Sequence, residues 1–444
     1  MMDATTTMNG GDPTRLRGDP MSGERYWSRE FADREWQCMW KKVWHIAGRE
    51  NEVPETGDYL VHDFLHESVI VARQPDGSLR AFFNSCRHRG HRLTSQSSSI
   101  EAFTCPYHGW VFGIDGELRN VPDADNFPQG DPCGKLSLRE TRCATWGGFV
   151  WYAMSDEAPS FEDFMGPVLH QYDSFPLESL VRVFQIKIDL NTNWKFAPEN
   201  FSESYHTRTA HPQVPAFCDQ DYWNARLEMF PEGHGRTIQP FRPSLRDSPE
   251  GSEPHVFDDV LRHWEIDPAH YRSFEEKVVE GWRDLAEAKR RLGPGRGSKH
   301  YARLSDSELT ESIHSTIFPN VALTFGPDEV FLQRTEPHPH DPEKCTFDLW
   351  AMVFPVEGQT MTATAMVGTE RLPIREAEPI RRSFDGGRGV HEMHGGVVIQ
   401  DLMLAEGQQR GIRSQAYEDA YLAGQETRVR FFNEVLNDYL EGRR

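Results

Sequence analysis

The chain has 444 residues, with 48 Lys and Arg against 69 Asp and Glu, so its net charge is −21 at pH 7. Such a charge disfavours partners that are anionic, namely nucleic acids and acidic membrane surfaces, and no segment is apolar enough to span a bilayer. The length predicts two or three domains, and seven sparse cysteines favour a reducing cytoplasm over a disulfide scaffold.

The predicted elements begin after residues 1–24, which lack the apolar core of a secretory signal and are predicted to be a flexible tail. A helix is predicted from about Ser28, because four apolar side chains recur at helical spacing: Trp36, Met39, Trp40 and Val43. From about Gly57 to Tyr152, β-rich runs such as "DYLVHDF", "SVIVAR", "LRAFFNS" and "GGFVWYAM" alternate with turn residues. This pattern predicts a small antiparallel β-domain.

The second half of the chain alternates strands and helices. "VRVFQIKIDL" has the alternation of a strand, residues 231–254 are predicted to be a surface loop, and Val321 to Arg334 is predicted to be a hairpin beside the strand "FDLWAMVF". Two helices are predicted from apolar stripes, one ended by Gly293-Pro294 and one at the C-terminus. The stripe residues are Phe274, Val278, Trp282 and Leu285 in the first helix, and Val429, Phe432, Val435, Leu436 and Tyr439 in the second.

Two cysteines and two histidines are paired in one short segment, as Cys86-x-His88 and Cys105-x-x-His108. Buried cysteines with satisfied histidines are one interpretation, and a structural Cys2His2 zinc site is another. Zinc sites usually have two ligands of the same kind in each pair, whereas each loop here offers one thiol and one imidazole. This mixed pairing favours a [2Fe–2S] cluster, in which thiolates hold one iron and neutral imidazoles hold the other.

The runs "CRHRGHRL" and "CPYHGW" closely resemble the Rieske signature, and the chain resembles a Rieske non-haem iron oxygenase, specifically the catalytic alpha-type subunit of the aromatic-ring-hydroxylating family. Respiratory Rieske proteins have an extra cysteine in each loop and a serine after the second His-Gly. Those positions hold His91, Tyr107 and Trp110 here, which favours an oxygenase whose cluster has a low reduction potential.

A second site is indicated by "ENFSESYHTRTAHP", which contains His206 and His211. On a regular helix these residues would lie about 140° apart, so the helix must distort or end for both to face one ion. Two unrelated surface histidines are the alternative. The resemblance implies that both bind a mononuclear Fe(II), and that Asp401 in "VVIQDLMLAEGQQRGIRS" supplies the carboxylate, with Glu392 and Glu406 as rivals.

Two residues near His206 are candidates for catalytic roles. Glu203 lies one helical turn before His206, and the resemblance implies that it bridges His206 to His108 of a neighbouring chain. The family more often has Asp at this position, although Glu occurs in members that act on quaternary ammonium compounds. A solvated helical glutamate is the alternative. Asn200 matches a family position near the iron, but it could equally be a helix-end residue.

The resemblance implies an α+β protein built from an all-β Rieske domain and a larger catalytic domain with a central antiparallel sheet covered by helices. We predict the following boundaries: a tail at 1–24, a helical segment that accompanies the catalytic domain at 25–56, the Rieske domain at 57–165 and the catalytic domain at 166–444. The histidines of "HEMHGG" (His391, His394) and "EPHPHDP" (His338, His340) are predicted to lie in loops and turns.

The implied function is that of a terminal oxygenase, with the cluster and mononuclear iron as cofactors and NAD(P)H acting through a separate ferredoxin or flavin reductase. The chain has no convincing dinucleotide fingerprint of its own, which favours a separate reductase. Electron transfer from the cluster of one subunit to the iron of the next implies a homotrimer. Whether a beta subunit is also present is left undecided by the sequence. Arg87, Arg89 and Arg92 are predicted to dock an acidic ferredoxin.

The substrate is not named by the sequence. A hydrophobic aromatic or polycyclic compound is the first expectation, a quaternary amine undergoing hydroxylation or N-demethylation is the alternative, and an electron carrier without oxygenase activity is an alternative of another class. Pocket walls are expected after His211 and around Ile313 to Phe325. The region from Phe217 to Phe230 could form an apolar wall or a cationic cage.

Overall fold

The computed structural model describes residues 16–247, 256–368, 370–384 and 396–444. The chain forms two compact units, a smaller one from Arg34 to Phe164 and a larger one that combines the residues up to Asp33 with Met165–Arg444. The predicted segment 25–56 is therefore divided between the units. The reason is that Trp44–Arg49, which follows its helix, forms a strand paired with Phe149–Ala153 in the smaller unit.

Part of the predicted flexible tail is anchored. Residues 1–15 lie outside the described residues, but the backbone amides of Arg17 and Gly18 donate to the Glu434 carboxylate at 2.9 and 2.7 Å. The amide of Met21 donates to Asp419 at 2.5 Å. Hydrogen bonds to an ionised carboxylate are stronger than neutral ones, so the chain from Arg17 onward belongs to the ordered part of the larger unit.

The smaller unit is built from antiparallel strands, as the sequence predicted. One seven-stranded sheet has the order β1-β10-β9-β4-β3-β2-β5, and a three-stranded sheet has the order β6-β7-β8. The strands are β1 (Trp44–Arg49), β2 (Asp58–Phe64), β3 (Glu67–Arg73), β4 (Leu79–Phe83), β5 (Ser98–Ser99), β6 (Ala102–Thr104), β7 (Val111–Gly113), β8 (Leu118–Asn120), β9 (Glu140–Trp146) and β10 (Phe149–Ala153). The four predicted runs correspond to β2, β3, β4 and β10.

The larger unit contains an eight-stranded sheet of order β12-β13-β14-β15-β16-β17-β11-β20, antiparallel except where β11 pairs with β20. The remaining pair, β18 with β19, is separate. The strands are β11 (Val181–Leu190), β12 (Arg226–Met229), β13 (Gly235–Pro240), β14 (Glu311–Ile317), β15 (Val321–Phe325), β16 (Glu329–Pro337), β17 (Cys345–Val353), β18 (Met361–Thr362), β19 (Leu372–Pro373) and β20 (Ile380–Ser383).

The predicted surface loop at 231–254 is partly wrong. Strand β13 lies within it and pairs with both β12 and β14, burying most of its side chains, and residues 248–255 lie outside the described residues. Glycine and proline at the ends of β13 hid this strand in the sequence. The α+β expectation is confirmed.

Most of the helices belong to the larger unit, whereas two of them, Arg29–Cys38 and Phe161–Met165, lie across the boundaries between the two units. In the described part of the chain the helices are α1 (Glu24–Trp27), α2 (Arg29–Cys38), α3 (Phe161–Met165), α4 (Phe196–Asn200), α5 (Thr207–Ala210), α6 (Val256–His263), α7 (Phe274–Leu292), α8 (Asp306–Thr310), α9 (Gly396–Ile412) and α10 (Thr427–Leu440). None of these helices is both long and apolar enough to cross a membrane. Helix α7 begins where the Ser273 hydroxyl accepts from the Glu276 amide, and the predicted stop follows at Gly293.

The histidine segment is helical only in parts. Helix α4 ends at Asn200 and the four-residue α5 begins at Thr207, so His206 and His211 flank α5. His211 has left the helical conformation, with φ −127° and ψ 65°. His206 keeps helical dihedrals, so the departure at His211 is what changes the angular separation that a continuous helix would impose, and both imidazoles can face α9.

Candidate metal centres

The four predicted cluster residues lie in two loops with the same backbone shape. In the first loop the Cys86 amide donates to the carbonyl of His91 at 2.9 Å, and the Gly90 amide donates to the carbonyl of Cys86 at 2.9 Å. In the second loop Cys105, Trp110 and Gly109 repeat both bonds, at 2.8 and 3.0 Å. The two glycines have φ values of +75° and +71°, which side chains with a Cβ rarely adopt.

These loops bring the two thiols and the two imidazoles together. The thiols of Cys86 and Cys105 are buried and hydrogen-bonded to each other, and burial raises the pKa of Cys86. The rings of His88 and His108 lie 4.6 Å apart between centroids. Nδ1 of His88 is buried and has no hydrogen-bond partner among the described residues, which fits a nitrogen that ligates a metal. The residues therefore fit a Rieske [2Fe–2S] cluster.

Trp110 shields one side of this site. It is buried and stacks on the His88 ring with 4.9 Å between centroids and 8° between planes. The tryptophan occupies the position where respiratory members have a serine, so no hydroxyl is offered to the cluster there. The low reduction potential expected from the sequence stays a prediction.

The second site joins residues that are far apart in the sequence. Ligand atoms of His206, His211 and Asp401 all lie within 4.8 Å of one another. Nε2 of His211 and Nε2 of His206 face the same oxygen, Oδ1 of Asp401, at 2.9 and 3.3 Å. Two imidazoles and one carboxylate around a common point form the facial set that non-haem Fe(II) sites use.

The opposite nitrogen of each imidazole has its own partner. Nδ1 of His206 contacts Oε1 of Glu203 at 2.5 Å, and Nδ1 of His211 contacts Oε1 of Gln400 at 2.8 Å. Both partner oxygens are acceptors, so each Nδ1 donates its proton to its own partner, and each Nε2 faces Asp401. A metal ion at the common point would replace the Nε2 protons and bind the two Nε2 lone pairs. Gln400 was missed by the sequence reasoning, and its only signal was its position beside Asp401.

The charges at this site reinforce each other. Burial alone would lower the pKa of His206, but hydrogen bonds with Asp401 and Glu203 reverse this and raise the pKa to about 9. In the same way, burial would raise the pKa of Asp401, but the hydrogen bonds from His206 and His211 lower it. The carboxylate is thus held ionised, as a metal ligand must be.

The other predicted residues divide into two groups. Nδ2 of Asn200 lies 3.5 Å from Nε2 of His206 and 3.4 Å from Oδ1 of Asp401, so Asn200 borders the site. Glu406 instead accepts from Nδ2 of Asn191 at 2.9 Å, away from the three ligand atoms. Glu392, His391 and His394 lie outside the described residues. His338 and His340 lie in an exposed turn.

One cavity borders the triad, and a second cavity adjoins the first. The first has a volume of about 260 Å³ and is bordered by all three triad residues. The second, of about 350 Å³, shares Ser312, Thr324 and Phe331 with the first. Its walls are rich in phenylalanine: Phe217, Phe241, Phe257, Phe325 and Phe331. Residues after His211 and from the strands around 313–325 line these cavities, in the regions from which the sequence predicted pocket walls.

The second cavity also contains two ionisable groups with shifted pKa values. Burial lowers the pKa of Lys289 to about 8 and raises the pKa of Glu329 to about 7. Glu329 is partly exposed as a residue, but its Oε2 is buried and has no hydrogen-bond partner in the described parts of the chain. The cost of burying this carboxylate predicts a pH-dependent stability.

Replacing Glu329 by Gln is expected to flatten the fall in stability between pH 4.5 and 7. The pKa of Glu329 rises from 4.5 to about 7 on folding, so the folded protein binds the proton more tightly within this window. Wild-type stability therefore falls as pH rises, by roughly 1–3 kcal/mol, and the glutamine variant lacks this loss. Urea unfolding at pH 4.5, 6 and 8 measures the difference. Glu287→Gln, at an exposed site on α7, is the control, and identical slopes for E329Q and wild type would contradict the prediction.

Comparisons with known proteins identify two domains in this chain. Residues 177–442 match the family model of the ring hydroxylating alpha subunit catalytic domain, and residues 43–136 match the Rieske [2Fe-2S] domain. The glycine betaine monooxygenase oxygenase subunit of Pseudomonas aeruginosa is 29% identical over 229 residues, covering 48% of this chain and 52% of the relative. The large oxygenase component of a naphthalene 1,2-dioxygenase system of the same species is 34% identical over 194 residues, covering 41% and 42%.

These alignments span only about half of the first relative and less than half of the second. Across almost the whole chain, the fold resembles that of a quaternary ammonium Rieske monooxygenase, with a TM-score of 0.64, 17% identity, and coverage of 95% of this chain and 96% of that one.

Proposed function

This chain belongs to the family of ring-hydroxylating alpha subunits and contains a Rieske [2Fe-2S] domain, and on that premise we propose that it is the terminal oxygenase of a cytoplasmic multicomponent system. Electrons come from NAD(P)H through a ferredoxin, a flavin reductase or both. In a monooxygenation, O2, two electrons and two protons yield one oxygen atom in the substrate and one water molecule. In a dioxygenation, both oxygen atoms enter the substrate.

The observation that carries this proposal is the convergence of His206, His211 and Asp401 at the wall of a cavity of about 260 Å³. An Fe(II) held by these three residues would supply open positions where O2 is activated with electrons stored in the cluster. The residues Cys86, His88, Cys105 and His108 would hold that cluster. Asn200 and Gln400 would fix the orientation of the metal ligands.

Glu203 is proposed to link the two centres between chains. Its Oε1 accepts from Nδ1 of His206, and its Oε2 accepts from the amide of His206 at 3.2 Å. The carboxylate also borders a groove of about 810 Å³ that contains exposed apolar side chains, among them Met403 and Leu404. A neighbouring copy of this chain in a homotrimer would cover these side chains and bring its His108 to Glu203.

The test of the function is iron content combined with oxygen uptake. Anaerobically reconstituted protein should be red-brown and bind about three irons per chain, two in the cluster and one mononuclear. With a reductase supplied, it should consume O2 only when substrate is added. Two irons per chain without oxygen uptake would instead indicate an electron carrier, and a colourless zinc protein would exclude both.

Electron transfer between chains predicts that two inactive variants complement each other. A chain with Cys105→Ser lacks a cluster and a chain with His206→Ala lacks the iron, so neither alone should turn over. Co-expressed and co-purified, mixed trimers should recover a measurable fraction of wild-type oxygen uptake, because a cluster of one chain serves the iron of the next. Mixed assemblies that stay as inactive as either parent would contradict the transfer between chains.

The exposed arginines of the first cluster loop predict how the redox partner docks. Arg92 is already paired with Asp63 at 2.7 Å, whereas Arg87 and Arg89 are exposed and have no carboxylate partner in the described residues. Arg87→Glu with Arg89→Glu should slow reduction of the cluster by an acidic ferredoxin about tenfold or more, and reduce the salt dependence of that rate. Stopped-flow absorbance measures the rate of cluster reduction. Arg92→Glu should slow this rate less, because Arg92 is already paired with Asp63. Unchanged rates and salt dependence would exclude this docking surface.

Two substrate classes are proposed. The phenylalanine-rich second cavity favours a compound with an apolar, ring-sized body, in keeping with an aromatic substrate. A quaternary amine is the second candidate, since Glu203 replaces the more usual Asp and one relative is a glycine betaine monooxygenase. The two classes are separated by comparing oxygen uptake in the presence of naphthalene derivatives with uptake in the presence of carnitine, choline or betaine. Mass spectrometry then identifies the products.

A further inference from the structure

The sheet of the larger unit lines the cavity beside the triad with both apolar and polar side chains. The apolar ones are Leu227 and Phe331, and the polar ones are Thr237, Gln239, Ser312, His314, Thr324 and Gln333. The polar side chains come from the four adjacent strands β13 to β16. A plain hydrocarbon would offer no partner to any of these polar groups that lacks one, which is unfavourable.

Several of these polar side chains have hydrogen-bond partners, but two nitrogens do not. Oγ1 of Thr237 accepts from Arg428, and Oγ1 of Thr324 contacts Nδ1 of His314 at 2.7 Å. Nε2 of Gln239 and Nε2 of His314 are buried and have no hydrogen-bond partner among the described residues. Buried polar atoms are rarely left unpaired in native proteins, so each nitrogen calls for a partner, and both residues line the cavity.

The strand register places Gln239 and His314 on the same face of adjacent strands. Thr237 on β13 pairs with His314 on β14, and Gln239 pairs with Ser312. Gln239 and His314 are therefore diagonal neighbours on the same face of adjacent strands. Diagonal neighbours have Cα atoms about 7–8 Å apart, which lets two long side chains contact one small group between them.

The hydrogen-bond network defines what each nitrogen offers. Burial lowers the pKa of His314 to about 3, so its ring is neutral and has one donor and one acceptor nitrogen. The Thr324 hydroxyl donates to Oε1 of Gln333 at 3.4 Å, which leaves its oxygen to accept from Nδ1 of His314. Nε2 of His314 is then an acceptor, whereas Nε2 of Gln239 is an amide donor.

We propose that Gln239 and His314 bind a hydroxyl group of the substrate, and that the substrate is a hydroxylated compound with an apolar ring body. The hydroxyl oxygen accepts from the Gln239 amide, and the hydroxyl hydrogen is donated to Nε2 of His314. A carbonyl or an ether offers no hydrogen to His314, and a methyl group satisfies neither nitrogen. This proposal rests on the proposed function only in treating the cavity as the substrate site of that oxygenase.

The test measures binding without turnover, so that its outcome is independent of oxygenase activity. Iron-loaded full-length protein is titrated anaerobically with 2-naphthol, 2-methylnaphthalene and 2-methoxynaphthalene by calorimetry. 2-Naphthol is expected to bind about 10–100 times more tightly than the other two, because each of those leaves a buried polar atom unpaired. Gln239→Met and His314→Phe should each bring this ratio to within about twofold of one.

The control is Gln220→Met, the same substitution in the same cavity. Nε2 of Gln220 already contacts Sγ of Cys218 at 2.9 Å, so the variant should keep the wild-type ratio. Circular dichroism and thermal melting verify that each variant is folded. Equal affinities for the three probes, or a ratio that survives in both Q239M and H314F, would mean that the nitrogens bind only water and would overturn the proposal. Failure of all three probes to bind would overturn it as well. If the proposed oxygenase function were wrong, the iron content and the oxygen uptake described above would reveal it separately.

Discussion

The variant His206→Ala is expected to lose the mononuclear iron and at least about 100-fold in turnover, while it keeps the red-brown colour of the cluster. Loss of residues that only support metal ligands costs 10–100-fold in metal affinity or activity, and loss of a ligand should cost at least as much. His206 provides one of three ligand atoms within 4.8 Å of each other, and without it two remain. Iron analysis should fall from about three to about two irons per chain.

The matched control is His340→Ala, which removes an exposed histidine in a turn. It should keep both the third iron and the activity. Asp401→Ala should reproduce the loss, whereas Glu406→Gln should not, because Glu406 contacts Asn191 instead of the two histidines. A full complement of iron in H206A or D401A would contradict the assignment of the mononuclear site.

The variant Glu203→Gln is expected to keep both metal centres and yet lose about 100-fold in turnover. Its carboxylate accepts from both the ring and the backbone amide of His206, so an amide weakens the contact and removes a charge from the proposed bridge. Small displacements of reacting groups can lower a reaction rate about 100-fold. The measurement is the rate at which O2 and substrate reoxidise a pre-reduced cluster, followed by absorbance.

Glu203→Asp is the conservative control. Asp is the more usual residue in the family and keeps a charged acceptor at this position. This variant should therefore retain a larger fraction of the wild-type reoxidation rate than E203Q. Iron analysis must give about three irons per chain in both variants, because a loss of metal would also slow reoxidation. Reoxidation of E203Q at the wild-type rate would exclude Glu203 from the electron path.

Local patterns in the sequence predicted what depends on local interactions. Strands β2, β3 and β4 are short alternating runs bounded by turn residues, and α7 has both a cap and a stop, so each could be predicted from a few neighbouring residues. Strand β13 could not, because Gly235 and Pro240 are typical of loops. What stabilises it is pairing with β14, about 75 residues later in the chain.

The candidate site likewise combines residues that the sequence could identify with residues that only the fold reveals. The resemblance singled out His206, His211 and Asp401, but spacing alone could not bring together residues that are 190 positions apart. Gln400, Gln239 and His314 carry no motif. Their importance comes from an orientation or an unpaired atom that only the folded structure defines. The anchoring of Arg17 and Gly18 by Glu434 was likewise invisible, since it joins opposite ends of the chain.

The two cysteine loops share one backbone geometry although few of their residues are the same. The common parts are the amide bonds and a glycine four positions after each cysteine. The positions between them, occupied by Arg87, Arg89, Pro106 and Tyr107, point outward and are exposed. The loop scaffold and the proposed docking surface thus rest on different positions. Grafting the tips of a homologous oxygenase onto this framework should exchange one electron donor for another without rebuilding the cluster pocket.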